Sequence, residues 1–396
     1  MPKRITKAVG KKVELLRRTI SCPEDLEAKK RNENLLKEYT FAANILGIGY
    51  QTSDEPFVFS PLAISLGLSL LHIGATGSVK SQIQSAIFKG STHEELEQYF
   101  SEIACELSRS KNRIVFLANH LFASTGIFIE KDYLERIRIL HQTGLTQLPL
   151  SNDSYGSAVC VNSQVGLKTR NHIDKIIMGG DLRKDTTLLL ANALHFRAEF
   201  AFQFTYGPKR HFHSDMKSSR EIEYLGDVFV PRQYSENKIF QVLVLPYTNN
   251  KFALNIFLPK KHCGLRHALT TLCPETMLDL IKDTKEERLN IRIPKFKVET
   301  RFSHLKGVLA AMGMYDVFDK TQELSGISSS KFVIAQMVHK AKFEVGENGT
   351  YSTSLKSELP RDDARVVPQA FKFTANHPFL YVVTMDLHPL YIGVYK

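Results

Sequence analysis

Tryptophan is absent from this 396-residue chain, and cysteine is sparse. The five cysteines are Cys22, Cys105, Cys160, Cys263 and Cys273; they form no CxxC pair and have no metal-site spacing with histidine. An odd, scattered set is typical of free thiols in a reducing compartment, not of a disulfide framework. We therefore expect no structural disulfide, no metal and no cofactor.

Long apolar runs are missing as well. No segment approaches the ~20 uninterrupted apolar residues that cross a bilayer. The first 20 residues contain no apolar core of signal-peptide length. These two absences predict a cytoplasmic protein with no membrane contact, and leave an extracellular role open only through an unconventional export route.

The usual catalytic motifs are not found either. No GxSxG, Walker loop or GxGxxG occurs, and the HEELE segment at 93–97 lacks the second histidine of a zinc-peptidase helix. His120, His195 and His339 each lie in a predicted apolar strand, where a lone histidine is more often a core residue than a catalyst. The sequence predicts no catalytic residue, and hence no enzyme.

Positive charge is in excess, with a formal net charge of +11. Seven basic residues lie near the start: Lys3, Arg4, Lys7, Lys11, Lys12, Arg17 and Arg18. Such a run indicates either a polyanion contact or a solvated tail. We interpret residues 1–28 as a poorly ordered basic extension, with a weak polyanion contact as the other possibility.

Three helices are predicted in the first third of the chain. One covers 29–46. A second begins with Ser60 as the capping residue and Pro61 in the first turn, and ends at Gly74; because it is apolar all round, it is expected in the interior. The third begins with a Thr92–Glu95 capping box and has a single buried stripe.

Strands dominate the rest of the sequence. We predict them at 113–123, 186–196, 240–247, 252–259, 291–298, 331–345, 379–385 and 390–395, with helices at 268–283 and 303–312. Helices come early and strands late, without regular alternation, which predicts an α+β fold with large sheets. Between two of these strands lies the segment 347–373, which has no apolar period. A connection this long is usually functional or disordered.

Several segments, in this order, resemble the serpin family of serine protease inhibitors. They are FSPLAISLGLSLLHIGATGSVKSQI, TTLLLANALHFRAEFAFQF, LPYTNNKFALNIFLP, IPKFKVETRFSHLKGVLAAMGMYDVF, LSGIS, MVHKAKFEVGENGT and ANHPFLYVVT…LYIGVYK. The resemblance implies one domain at 29–396, where length alone would suggest two or three. It also implies three β-sheets, about nine helices and an exposed reactive-centre loop at about 347–373.

The resemblance implies how such a loop works. A protease cleaves it, and the loop then inserts into the main sheet as a new strand, dragging the attached protease with it. At ~3.3 Å per residue, about 15 inserted residues move the acyl-enzyme by roughly 50 Å. By resemblance, Ser60, Asn192 and His339 form the cluster that controls sheet opening. Phe200 and Gln164 stand where the family has tryptophan.

The family's hinge corresponds here to Glu347, Gly349, Thr350, Ser352 and Ser354. The residues expected to turn inward on insertion, Thr350, Ser352 and Ser354, are all small. Further along, Lys356, Glu358 and Pro360 oppose insertion, because a buried unpaired charge is costly and proline cannot donate to an interior strand.

The reactive bond is predicted at Arg365–Val366. The family spacing, counted from either end of the loop, places this bond between Asp363 and Val367. Arg361 is the second choice for the reactive residue. We therefore predict a monomeric suicide inhibitor of a trypsin-like endopeptidase. The alternative is a serpin-fold protein without inhibitory activity that acts as a binding or chaperone-like module.

Overall fold

The computed structural model describes residues 23–52, 54–109, 114–302, 305–319, 321–330, 332, 334–350 and 370–396. This part of the chain contains ten α-helices and sixteen β-strands. The helices are α1 Pro23–Thr52, α2 Pro61–Gly74, α3 Gly77–Ile87, α4 His93–Arg109, α5 Lys131–His141, α6 Ser154–Lys168, α7 Leu265–Thr271, α8 Pro274–Lys282, α9 Leu305–Ala311 and α10 Asp316–Asp319.

The strands are β1 Phe57–Phe59, β2 Val115–Ser124, β3 Leu145–Leu148, β4 Leu188–Phe196, β5 Ala198–Glu199, β6 Thr205–His213, β7 Ser219–Glu236, β8 Phe240–Pro246, β9 Phe252–Pro259, β10 Lys285–Pro294, β11 Phe296–Phe302, β12 Ile334–Val345, β13 Gly349–Thr350, β14 Phe371–Thr374, β15 Phe379–Met385 and β16 His388–Tyr395. They form three sheets, which confirms the predicted α+β architecture.

The sheets differ in size. A nine-stranded sheet has the order β1-β16-β15-β9-β8-β7-β10-β14, with β6 also paired to β7. A five-stranded sheet has the order β11-β12-β4-β2-β3. The third sheet contains only β13 and β5. The strand β13 comes directly after β12, so the small sheet lies where the five-stranded sheet gives way to the predicted loop.

Side-chain alternation along β4 divides the core in two. Leu188, Leu190 and Leu194 belong to the large apolar core that includes α2 and the nine-stranded sheet. Leu189, Ala191 and Ala193 belong to a smaller core that includes residues of α6. The five-stranded sheet is therefore buried on both faces.

Helix α2 follows the sequence prediction closely. The Ser60 hydroxyl accepts a hydrogen bond from the Ala63 amide at 3.1 Å, and every residue from Pro61 to Gly74 is buried. The capping box of α4 is also present, because the Thr92 and Glu95 side chains each accept from the other residue's amide.

Two predicted elements are divided in the structure. The strand predicted at 291–298 consists of the end of β10 and the start of β11, which belong to different sheets; the chain passes from one to the other at Lys295, whose amide donates to the Glu223 carbonyl at 2.9 Å. The helix predicted at 268–283 is likewise two helices, α7 and α8, because Pro274 begins a new first turn.

Helix α1 begins at Pro23, six residues before the helix predicted at 29–46. The described cysteines, Cys105, Cys160, Cys263 and Cys273, are free thiols. Among the helices described, none combines the length and apolarity needed to cross a bilayer.

Candidate functional site

A parallel pair of strands lies in the middle of the five-stranded sheet. Strands β12 and β4 pair from Ile334↔Leu188 to Lys342↔His195, and we call this pairing the seam. On either side of it the pairing is antiparallel, β12 with β11 and β4 with β2. The seam is closed along its whole length, so no strand separates β12 from β4.

Two of the predicted cluster residues face each other across the seam. His339 of β12 is the register partner of Asn192 of β4, and their side chains are hydrogen-bonded through His339 Nδ1 and Asn192 Oδ1. The Ser60 amide donates to His339 Nε2 at 2.9 Å. Because Nε2 accepts, the imidazole proton is on Nδ1 and is donated to Asn192.

A fourth member, Asn119, was missed by the sequence analysis. Asn119 of β2 is the register partner of Asn192, and the Asn192 amide nitrogen donates to Asn119 Oδ1. Both amides also donate to the Ala63 carbonyl in α2. An asparagine within the apolar strand predicted at 113–123 was the available signal, but its alignment with Asn192 depends on tertiary pairing.

This cluster is enclosed by the core. Ser60 and His339 are fully buried, and Asn192 is nearly so. Burial lowers the pKa of His339 to about 3, so the ring is neutral near pH 7. Buried polar groups of this kind are stable only while they keep their partners. Separation of β12 from β4 breaks the His339–Asn192 bond directly.

The chain turns back on itself just past the seam. Gly346 and Gly349 exchange backbone hydrogen bonds, and Gly349 has a φ of 134°, a conformation that favours glycine. A Cβ at Gly349 would lie 2.4 Å from the Ala198 carbonyl oxygen, so the close approach also requires glycine. Beyond this turn, β13 pairs antiparallel with β5.

The start of the hinge is held by several contacts. The Lys295 ammonium donates to the buried Glu347 carboxylate at 2.9 Å. The Phe204 amide donates to the Glu347 carbonyl at 3.0 Å, and the Phe200 amide to the Asn348 carbonyl at 2.8 Å. The described part of the predicted hinge, residues 347–350, therefore lies outside the five-stranded sheet, in contact with Lys295, Phe200 and Phe204.

Phe200 stands where the resemblance places a tryptophan. It is buried, stacks on Tyr247 with ring centres 4.8 Å apart and packs edge-on against Phe204 at 5.6 Å. Aromatic packing is thus kept at this end of the sheet without an indole donor. Gln164, at the second tryptophan position, is a partly buried residue of α6 whose side chain lies 3.4 Å from the Thr146 hydroxyl.

The remaining predicted residues lie outside the described part of the chain. These are Ser352 and Ser354 of the hinge and the predicted reactive bond Arg365–Val366. Thr350 is described as part of β13. The structure thus brings Ser60, Asn192 and His339 together at the seam, and their roles in sheet opening stay predictions.

The chain is similar in sequence to several known proteins and similar in fold to several solved structures. Serpin B6 of Macaca fascicularis is 26% identical over 357 residues, covering 87% of this chain and 93% of the relative. The leukocyte elastase inhibitor of Xenopus tropicalis is 26% identical over 336 residues, covering 82% and 88%. Among solved structures, Serpin48 of the insect Tenebrio molitor gives a TM-score of 0.81 at 21% identity, covering 92% of this chain and 98% of the other.

A second solved structure of similar fold is thyroxine-binding globulin in complex with thyroxine, with a TM-score of 0.81 at 20% identity and coverage of 91% and 98%. At these identities the structural likeness establishes the fold alone. The Serpin (serine protease inhibitor) family matches residues 37–395. This match extends over the seam, the buried cluster and the hinge, and the chain therefore belongs to the serpin family.

Proposed function

We propose that this protein is a suicide inhibitor of a trypsin-like serine endopeptidase that acts by inserting its cleaved loop into the seam. The observation that carries the proposal is the closed parallel seam followed directly by the Gly346–Gly349 turn. The turn reverses the chain, so a strand that continues from it runs antiparallel to both β12 and β4.

Backbone hydrogen bonding then favours insertion. It replaces one parallel pairing with two antiparallel ones, and parallel pairing is slightly less stable per residue. Each additional ladder hydrogen bond contributes about 1 kcal/mol net. Over about a dozen bonds, the total stabilisation is comparable with the cost of burying Lys356 and Glu358. Each of these charges costs several kcal/mol if it is buried without a partner.

The loop sequence specifies the protease class. Arg365 is the proposed residue on the acyl side of the reactive bond, because an arginine fits the acidic specificity pocket of trypsin-like enzymes. Arg361 is the weaker choice, since the acidic Asp362 and Asp363 follow it.

Incubation of the protein with trypsin, followed by denaturing electrophoresis, tests the proposal. We expect a stable band at the summed mass of the two proteins, less the released C-terminal fragment. Trypsin lacking its catalytic serine is the control and forms no such band. Cleavage of the loop by active trypsin without any complex would refute inhibition.

The second candidate function is a non-inhibitory role. Lys356 and Glu358 fall at positions that would turn inward, and Pro360 cannot donate a ladder bond. Slow insertion lets the protease hydrolyse the acyl intermediate, which would make the protein a substrate or a binding module.

We further propose that the protein is monomeric and acts in the cytosol, in keeping with its free thiols. A weak polyanion contact through the basic residues 1–28 belongs to the same proposal.

A further inference from the structure

A groove of about 820 Å³ lies beside the point where the predicted loop rejoins the fold. Its walls are formed by the end of β7, one face of α8 with the residues just after it, the start of β10, and Phe371, the first residue of β14. Phe371 belongs to the last few residues of the predicted loop segment 347–373. An occupant of the groove would therefore lie next to the C-terminal attachment of the loop.

The groove carries an excess of negative charge, although the chain as a whole is basic. Among the described residues, its walls include four carboxylates, Glu236, Asp279, Asp283 and Glu287, and one lysine, Lys285. Glu236 has a lysine partner at 3.0 Å. The other three carboxylates form no ion pair within the described part of the chain. The groove therefore attracts cationic groups.

The groove also has an aromatic wall. The side chain of Phe371 is exposed, and its ring centre lies 5.4 Å from that of Tyr234. Burial, together with the carboxylates of Glu236 and Glu287, raises the pKa of Tyr234. Lysine and arginine pack their alkyl stems along aromatic rings and place their charge over the ring face. The groove therefore suits a peptide with both basic and apolar side chains.

The basic segment at the start of the chain has this composition. Residues 1–22 contain seven basic residues and a single acidic one, Glu14. Apolar residues such as Val9 and Val13 lie between the basic ones. The proposed loop insertion makes no use of this segment.

The start of α1 brings this segment within reach of the groove. Lys282 of α8 donates from its Nζ to the Asn32 side chain of α1 at 2.7 Å. Asn32 lies about 14 Å along the helix from Pro23, at ~1.5 Å per residue. Pro23 is therefore roughly 30 Å or less from the groove, a distance that about ten extended residues cover at ~3.3 Å each. The remaining residues, 1–12, contain five of the seven basic residues.

We propose that residues 1–22 dock in this groove of their own chain, with basic side chains against Asp279, Asp283 and Glu287 and apolar side chains against Phe371. Each exposed ion pair contributes only about 1.4- to 5-fold to such an equilibrium. Tethering offsets this weakness, because a segment on a short linker acts at an effective concentration on the order of 1 mM. A polyanion would have to compete with the groove for the same basic residues. The docking does not depend on the proposed inhibitory function.

Carbodiimide cross-linking of the full chain, followed by mass spectrometry, tests where the segment lies. We expect amide cross-links between the lysines of residues 1–12 and the carboxylates of residues 279–287. Their yield should fall as salt rises, because the screening length shortens from about 10 Å at 0.1 M to about 3 Å at 1 M. Asp132 and Glu135, two exposed carboxylates of α5, are the internal control. Equal yields at the groove and at α5 would overturn the docking.

A labelled peptide of residues 1–21 tests whether the groove is already occupied. In the full chain, the lysines of residues 1–12 are replaced together by glutamine, which should free the groove. Fluorescence anisotropy should show the peptide binding this variant several-fold more tightly than the wild type. Adding Asp279→Asn and Asp283→Asn should then weaken binding roughly 2- to 30-fold, since two exposed ion pairs are lost.

The matched control for the groove substitutions is Asp132→Asn with Glu135→Gln, which removes the same charge from α5. Peptide affinity should be unchanged in this control. Equal losses in the two double variants would attribute binding to net charge and overturn the site. Equal peptide affinity for wild type and the lysine variant would also overturn the proposal, because the groove would then be open to a separate cationic partner. Wild-type thermal midpoints in all variants would show that lost binding is not lost folding.

Discussion

Protonation of His339 links pH to the stability of the closed sheet. Its pKa is about 3 in the folded protein, against an ordinary value of 6.5. The unfolded chain therefore binds the proton more readily, and stability is fully present above pH 6.5 and declines as pH falls toward 3. Burial gives His195, His120 and His141 lowered pKa values as well, so they add to the same trend.

We predict that the urea midpoint falls between pH 6.5 and pH 4, and falls less steeply in His339→Gln. The substitution removes one titrating group, whose contribution is at most ~1.4 kcal/mol per pH unit. Urea titrations at several pH values measure the difference. Identical pH dependence in the two proteins would mean that His339 does not titrate as its burial requires.

At the predicted reactive bond, we expect the Arg365 side chain to decide which protease is trapped. Arg365→Ala should reduce association with trypsin by roughly 30- to 1,000-fold, because loss of one partner of a buried charged pair costs about 2–5 kcal/mol. Arg361→Ala is the matched control and should change little. Mass spectrometry of the released fragment identifies the cleaved bond directly. A fragment that begins at Val366 supports the assignment, whereas one that begins at Asp362 places the reactive bond four residues earlier.

At the scale of the element, the proposed function requires Gly349 and Thr350 to leave β5 before the hinge can enter the seam. The Glu347–Lys295 ion pair and backbone hydrogen bonds to Phe200 and Phe204 hold its start in place. Gly349, with its positive φ, permits the turn that follows. The first residue expected to turn inward after this turn is Thr350. A small side chain there lets the ladder begin to form.

We predict that Thr350→Arg abolishes trapping and leaves loop cleavage intact. An arginine at the first inward position must be buried before any ladder bond can compensate for it. Tyr351→Arg is the matched control, because its side chain is expected on the outer face and trapping should persist. Electrophoresis after incubation with trypsin distinguishes the two. If Thr350→Arg still traps protease, the hinge assignment is wrong.

At the scale of the molecule, the proposed function makes the closed five-stranded sheet the state before insertion. The native fold of such a protein is held by a kinetic barrier, since the inserted state contains one more strand in the sheet. We predict that the His339–Asn192 bond, its partners at Ser60 and Asn119, and the hinge contacts all contribute to that barrier, because each would break or rearrange if the seam opened.

Clean cleavage anywhere within 355–367 should therefore raise the thermal midpoint sharply. The nicked loop is free to insert and to complete the ladder between β4 and β12. Scanning calorimetry of the nicked and intact proteins measures the change, with the uncleaved chain carried through the same incubation as the control. An unchanged midpoint after complete nicking would favour the non-inhibitory alternative.

Local chemistry was enough to predict several elements of this fold. Ser60 and Pro61 begin α2, Thr92 and Glu95 cap α4, and the run at 252–259 forms β9 with the predicted bounds. These features depend on neighbours within a few residues. The division of 291–298 between β10 and β11 was not predicted, because an uninterrupted strand pattern does not reveal a change of sheet.

The sequence by itself determined the family-like order of segments, the small residues of the hinge and the arginines of the loop. Only the tertiary structure decided that His339 and Asn192 bond across a closed seam and that Asn119 completes the cluster. The physical reason is strand register. It pairs residues 73 positions apart for Asn119 and Asn192 and 147 positions apart for Asn192 and His339, and local sequence patterns do not specify it.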